Sequence, residues 1–357
     1  MNGPGKSHPP ARGATSLFRG EQSRFPFAEK DGKRHPAQFA CAPSIRFPSK
    51  MRGARRAGCV SALLIFGSVF FPGFTSAAEH ALVLQTDFGT KDGAVAAMRG
   101  VAFGVSPKIP IFDLSHENTP FDIWEAAYRL KQTASFWPAG TVFVSVVDPG
   151  VGTDRQSVVL KTRSGHFFVS PDNGTLTLVA EELGIDEVRE IDETKNRRPG
   201  SEKSYTFHGR DVYAYVGARL AAEVITFAEV GPKLPARVVE LPYERPRLEG
   251  TALVGTIPVL DFQYGNVWTN LDDALFARLQ PRLGEIFRVT IAQAGRTVYA
   301  GEIPYARTFG DVPEGSPLLY LNSLMNVALA LNQGDFAKKH GISSGAAWSV
   351  RVEKLKP

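Results

Sequence analysis

The chain has 357 residues, enough for two domains, with 43% apolar and 22% charged residues, the balance of an ordinary globular protein. Its formal charge of +5 comes from the leader: residues 1–78 hold 12 of the 41 Lys and Arg but 3 of the 36 Asp and Glu, leaving residues 79–357 at −4. A mildly acidic globular part gives no electrostatic case for nucleic acid, and both cysteines, Cys41 and Cys59, lie in the leader, which excludes thiol catalysis and zinc–thiolate sites beyond it.

In chain order, a secretion signal comes first. Met51 with Arg52, Arg55 and Arg56 forms a positive start, residues 57–71 form a short apolar run, and small residues around Ala77 and Ala78 suit cleavage. The expectation is a signal peptide over 51–78, export to the periplasm, and residues 1–50 arising from an upstream start; the other reading of the apolar run is an uncleaved anchor. Residues 81–85 are predicted as a strand. A helix follows from Asp92 to about Phe103, with Val95, Met98 and Val101 on its buried face. Strands are predicted at 109–114 and 141–147, with a helix opened by Asp122 between them through Ala126, Leu130 and Ala134. Residues 157–161 and 166–170 read as a hairpin, 175–183 as a helix, 188–191 as a strand and 211–224 as an amphipathic helix. Alternating strands and helices predict an α/β domain with a largely parallel sheet over 79–235. Prolines 232, 235, 242 and 246 mark a linker over 236–249. Residues 250–357 carry short strand-like runs at 252–259, 286–291, 296–300, 318–321 and 348–352, with a helical stretch near 325–331, and are expected to form a small β-barrel domain.

Three polar loops adjoin these elements: Thr86-Asp87-Phe88-Gly89, the segment from Asp148 to Arg155, and Phe207-His208-Gly209-Arg210-Asp211. Polar loops at the carboxyl ends of parallel strands are where such sheets bind ligands. Asp148 and Arg155 flank a glycine-containing loop that lets them meet, either to orient a water or as a plain loop-closing salt bridge. His208 precedes a helix and is either a proton acceptor or a loop histidine; Arg210 and Asp211 suit a cap and a salt bridge. Asp87 can grip both hydroxyls of a ribose or simply cap a turn. Asp261, Tyr264, Asn266 and Trp268 suit a planar heterocycle, or else form a hairpin with core aromatics. Ser323 is a carboxylate ligand or a helix cap. An acid, a base and a cation, with no cysteine and no metal-ligand cluster, point to activation of water rather than to a covalent intermediate. Neither GxGxxG nor a P-loop is present.

These segments, with Tyr264-Gly265-Asn266-Val267-Trp268 and Asn322-Ser323, occur in an order that resembles the S-adenosyl-L-methionine (SAM) hydroxide adenosyltransferases, relatives of the fluorinase and chlorinase, from about residue 81 to 352. The resemblance implies an α/β N-terminal domain, a small β-barrel and a homotrimer with SAM bound between subunits. It implies water or hydroxide attack on C5′ of SAM, giving adenosine and L-methionine, with no cofactor, no nucleic acid, and no membrane once the signal is cleaved. It maps a catalytic triad onto Asp148, Arg155 and His208, and the ribose contact onto Asp87. Tyr264, Asn266 and Trp268 fall on the adenine side, Asp261 and Ser323 on the methionine side, and Phe121 and Phe207 near the reacting carbon. The halogenase branch, which has Tyr and Thr in place of Asp148 and Val151, is the nearest alternative. Anionic Asp148 repels halide, which favours hydrolysis. Leu324 replaces an Arg of the halogenases. An exported adenosine-binding protein is the alternative from another class.

Overall fold

The computed structural model describes residues 80–355; the expected signal peptide and upstream segment lie outside them. Among the described residues no helix is long and apolar enough to cross a membrane. The first half is organised on β1 (Leu82–Thr86), all five of whose residues are buried. Such uninterrupted burial belongs to a strand paired on both edges and covered on both faces. Helix α1 (Ala94–Val105) returns the chain to β2 (Ile111–Ser115), and α2 (Ile123–Ala134) to β3 (Val142–Val146), both parallel to β1. Asp122 caps α2 by accepting the Glu125 N–H at 2.9 Å. In α1 the buried positions are Val95, Met98 and Ala102. The expected Val101 is only half-buried, because a spacing of six from Val95 leaves the face that a spacing of seven recovers.

The hairpin forms as β4 (Ser157–Thr162) and β5 (Phe167–Pro171), with β5 parallel to β3. After α3 (Thr177–Leu183) come β6 (Ile185–Glu190) and the short α4 (Glu193–Asn196). The predicted helix at 211–224 starts at Gly209 as one turn of π-helix, Gly209–Ala214, and continues as α5 (Tyr215–Ala221). Its buried face is wide, with Val216, Gly217, Ala218, Leu220 and Ala221 buried, and Tyr215 and Arg219 form a narrow, partly exposed stripe. Gly217 permits that burial, since a Cβ there would stand 2.4 Å from Val144 Cγ2 on β3. With β7 (Lys233–Leu234) the sheet order is β2-β1-β3-β5-β4-β6-β7, four parallel strands extended by antiparallel ones.

The segment expected as a linker packs down: Val238 is buried, and the Val239 N–H donates to Asp172 Oδ1 at 2.8 Å. It ends in β8 (Arg247–Glu249). The second half is antiparallel. Strands β9 (Ala252–Ile257), β10 (Val259–Asp261) and β11 (Asn266–Asp272) lead through α6 (Asp273–Ala277) to β12 (Ile286–Gln293) and β13 (Arg296–Pro304). Then follow β14 (Pro317–Leu321), β15 (Asn326–Leu331), α7 (Phe336–His340) and β16 (Gly345–Lys354). Two sheets, β10-β11-β15-β14 and β13-β12-β16-β9-β8, share one core that includes Leu253, Val267, Phe287, Leu329 and Val350. The helical expectation at 325–331 is corrected: this run is strand β15. It lies between β11 and β14 and is buried on both faces, so it lacks the alternation that marks a one-sided strand.

Candidate active site

Parallel pairing of β1 with β3 sets Thr86 opposite Val146. Asp87 and Asp148 therefore leave neighbouring strands at the same, carboxyl end of the sheet. The loop after Asp148 folds back through Gly152, whose φ of +78° falls where glycine carries no penalty. Arg155 thus meets Asp148: its Nε donates to Oδ1 at 2.8 Å and its Nη2 donates to Oδ2. The side chains are 12% and 5% exposed. Arg155 Nη1 also donates to Ser157 Oγ at 3.0 Å, and Ser157 Oγ lies 3.0 Å from the Tyr213 hydroxyl. Burial works against the Arg155 charge, but the hydrogen bond and field of Asp148 outweigh it and raise its pKa.

His208 is buried at the entry to the π turn. Its Nδ1 lies 3.1 Å from Arg155 Nη2, and its Nε2 lies 2.9 Å from Arg197 Nη2. Burial lowers the His208 pKa; Glu193 opposes that shift, and the positive charges of Arg155 and Arg197 add to it. Arg197 had no place in the sequence reading, nor did its partner Glu193, whose Oε2 accepts from Arg197 Nη2 at 2.6 Å. Their i, i+4 spacing is the one signal available, and it marks a helix pair rather than a site. Arg210 and Asp211 form the salt bridge expected of them, with Arg198 as a third member, at 2.7–2.9 Å.

Asp87 Oδ2 accepts the Phe121 N–H at 2.9 Å, and Phe121 itself sits at φ +68° and is 70% exposed. The Asp87 loop is secured from below. Asp113, a carboxylate that only accepts, lies 3.0 Å from His116 Nε2 and so fixes the ring proton there. Nδ1 is left to accept from the Thr86 hydroxyl at 2.9 Å, while Asn118 Nδ2 donates to the Thr86 carbonyl at 3.0 Å. Asp87, Phe121, Asp148, Val151, Phe207 and His208 line one cavity of about 260 Å³.

The remaining candidates stand elsewhere. Asn266 Nδ2 donates to Asp261 Oδ2 at 3.0 Å across the β10–β11 hairpin, and Tyr264 at its tip is 65% exposed. Trp268 packs in a core with Tyr128, Leu178 and Tyr320. Ser323 lines a second cavity, about 520 Å³, with Trp124, Tyr243, Arg245, Leu324 and Met325. Asp261, Tyr264, Asn266, Trp268 and Ser323 are thus absent from the lining of the cavity that holds Asp148, Arg155's partner, and His208. Among the described residues no group of three or more His, Cys, Asp or Glu could hold a metal ion.

An Asp–Arg–His cluster at the carboxyl end of a parallel sheet, joined to an antiparallel second half, defines an α/β enzyme built to handle a small polar ligand. The chain belongs to the SAM hydroxide adenosyltransferase family: residues 82–231 match the N-terminal domain of that family and residues 255–349 its C-terminal domain. It is 36% identical to an (R)-S-adenosyl-L-methionine hydrolase from Salinispora arenicola, over 73% of this chain and 93% of that one. It is 29% identical to a fluorinase from an Actinoplanes species, over 75% of this chain and 96% of that one. The crystal structure of an uncharacterized conserved protein from Thermotoga maritima is similar with a TM-score of 0.70 and 33% identity, covering 76% of this chain and all of that one.

Proposed function

We propose that this protein hydrolyses SAM to adenosine and L-methionine, with water or hydroxide attacking C5′. The observation that carries the reading is one cavity lined by Asp87, Asp148 and His208, with Arg155 hydrogen-bonded to both Asp148 and His208. In the reaction the C5′–S bond breaks and its electron pair stays on sulfur, which leaves as the neutral thioether of methionine. The water oxygen forms the new C5′–O bond and sheds one proton, which passes to bulk solvent, so the positive charge of the sulfonium leaves as that proton. Sulfonium is already a good leaving group, so the demand on the protein is to desolvate and aim the water in line with C5′–S. Asp148, fixed by the Arg155 fork, holds that water. Asp87 takes the ribose hydroxyls, and Phe121 and Phe207 wall the reacting carbon. The negative charge of Asp148 disfavours halide as the nucleophile, in keeping with the greater identity to the hydrolase than to the fluorinase.

The adenine and methionine contacts, Asp261, Tyr264, Asn266, Trp268 and Ser323, belong in this reading to a neighbouring subunit of a homotrimer. Their separation from the Asp148 cavity within one chain supports it, as do the exposed apolar side chains of Phe121, Val151, Phe262, Tyr264 and Met325. In this reading residues 51–78 serve as an export signal and the reaction takes place outside the cytoplasm. Incubation with SAM in ¹⁸O-water, followed by mass spectrometry, should give adenosine labelled at the 5′ oxygen and unlabelled methionine. Adenosine without label, or no turnover at all, would defeat the proposal. Light scattering on the same sample should give the mass of three chains; an active monomer would rule out the shared site.

A further inference from the structure

The surroundings of His208 carry an inference that rests on, and deepens, the hydrolytic reading. A neutral imidazole has one nitrogen with a free lone pair and one N–H. Here each ring nitrogen faces a guanidinium, Arg155 on the Nδ1 side and Arg197 on the Nε2 side, and a guanidinium has donors only. One contact is then a hydrogen bond and the other already sets an N–H against a cation. On an imidazolium both contacts would be of that second kind. The local charges agree: Arg155 is balanced by Asp148 and Arg197 by Glu193, so the cluster is neutral before His208 takes any proton.

Arg197 is built into this position. Its side chain is 6% exposed, its Nε and Nη2 both donate to Glu193 Oε2 at 3.1 and 2.6 Å, and its guanidinium lies 4.5 Å from the Tyr205 ring centroid. The Tyr205 ring in turn stands edge-on to His208 at 6.2 Å. Tyr213, edge-on at 6.4 Å, completes the shell and stays un-ionised because burial pushes its hydroxyl pKa up. We infer that Arg197, held by Glu193, is a positioning residue that confines His208 to its neutral form, so that His208 orients the Asp148–Arg155 pair rather than storing the proton released by water.

The test reads His208 directly. In ¹⁵N-histidine-labelled protein the His208 signals are assigned by their loss in His208→Asn, and their titration is followed in three variants. Arg197→Met should move the midpoint up by about one pH unit or more, since a cation in contact is removed. Glu193→Gln should move it down, since an anion is removed. Arg197→Lys, which keeps the charge, should leave it low. For kcat/KM, Arg197→Met should acquire an acid limb, falling about tenfold per pH unit below the new midpoint as the imidazolium forms. An unchanged midpoint in Arg197→Met overturns the inference. So does a rise in both Arg197→Met and Glu193→Gln, because loosened packing and water entry raise the two alike. If the midpoints move as stated but no SAM is consumed, the hydrolytic reading fails and the clamp on His208 stands.

Discussion

Asp148→Asn should lower kcat for SAM hydrolysis by about 10²–10⁴-fold, the range spanned by a positioned proton-handling or water-orienting carboxylate. The amide keeps the shape of the side chain but presents one acceptor where the carboxylate presents two. It therefore cannot receive both Arg155 Nε and Nη2 and still hold a water. Adenosine binding should change little, because Asp87, Phe121 and the second half of the chain are untouched. Steady-state kinetics with SAM, paired with calorimetry for adenosine, separates the two quantities. A loss of less than tenfold in kcat would remove Asp148 from the chemistry, and unaltered adenosine affinity with no wild-type turnover would favour a nucleoside-binding module.

Arg155→Met should destabilise the fold by about 3–5 kcal/mol, the cost of leaving one partner of a buried ion pair uncompensated. Both side chains are nearly sealed from water. Loss of the guanidinium also takes one of two partners from the Ser157 hydroxyl, which keeps Tyr213, and removes the partner on the Nδ1 side of His208. The double variant Asp148→Asn with Arg155→Met should be more stable than Arg155→Met alone, because the unpaired charge has gone with its partner. Urea denaturation of the two single variants and the double variant gives the coupling directly. Additive losses would mean that the pair is solvated in solution and its contact carries no special weight.

Much of this site was legible before any coordinates. Asp87 and Asp148 stood at the ends of short apolar runs expected to be strands. The loop from Asp148 to Arg155 had the glycines needed to turn back on itself, and Asp122 announced the start of α2. Other features were hidden for identifiable reasons. The run at 326–331 is apolar on both faces, so its periodicity did not distinguish the strand it forms from a helix. Val101 looked like the third member of a helical stripe until the turn geometry put Ala102 there. The aromatic segment around Trp268 read equally as stacking surface or as core, and Trp268 lies in one buried cluster with Tyr128, Leu178 and Tyr320.

The sequence by itself determined the main elements of the first half, their order, the family, and which polar loops adjoin which strands, because caps, turns and hydrophobic periods are local and act over a few residues. Tertiary structure alone decided who faces whom. Parallel pairing of β1 and β3, separated by two crossovers, brought Asp87 and Asp148 to one rim. The π turn at Gly209 and the short helix at Glu193 set Arg197 against His208. Packing likewise placed Ser323 on a different cavity from Asp148. Such contacts depend on how whole elements pack, and no local spacing encodes the charge that a folded neighbour will place beside an imidazole.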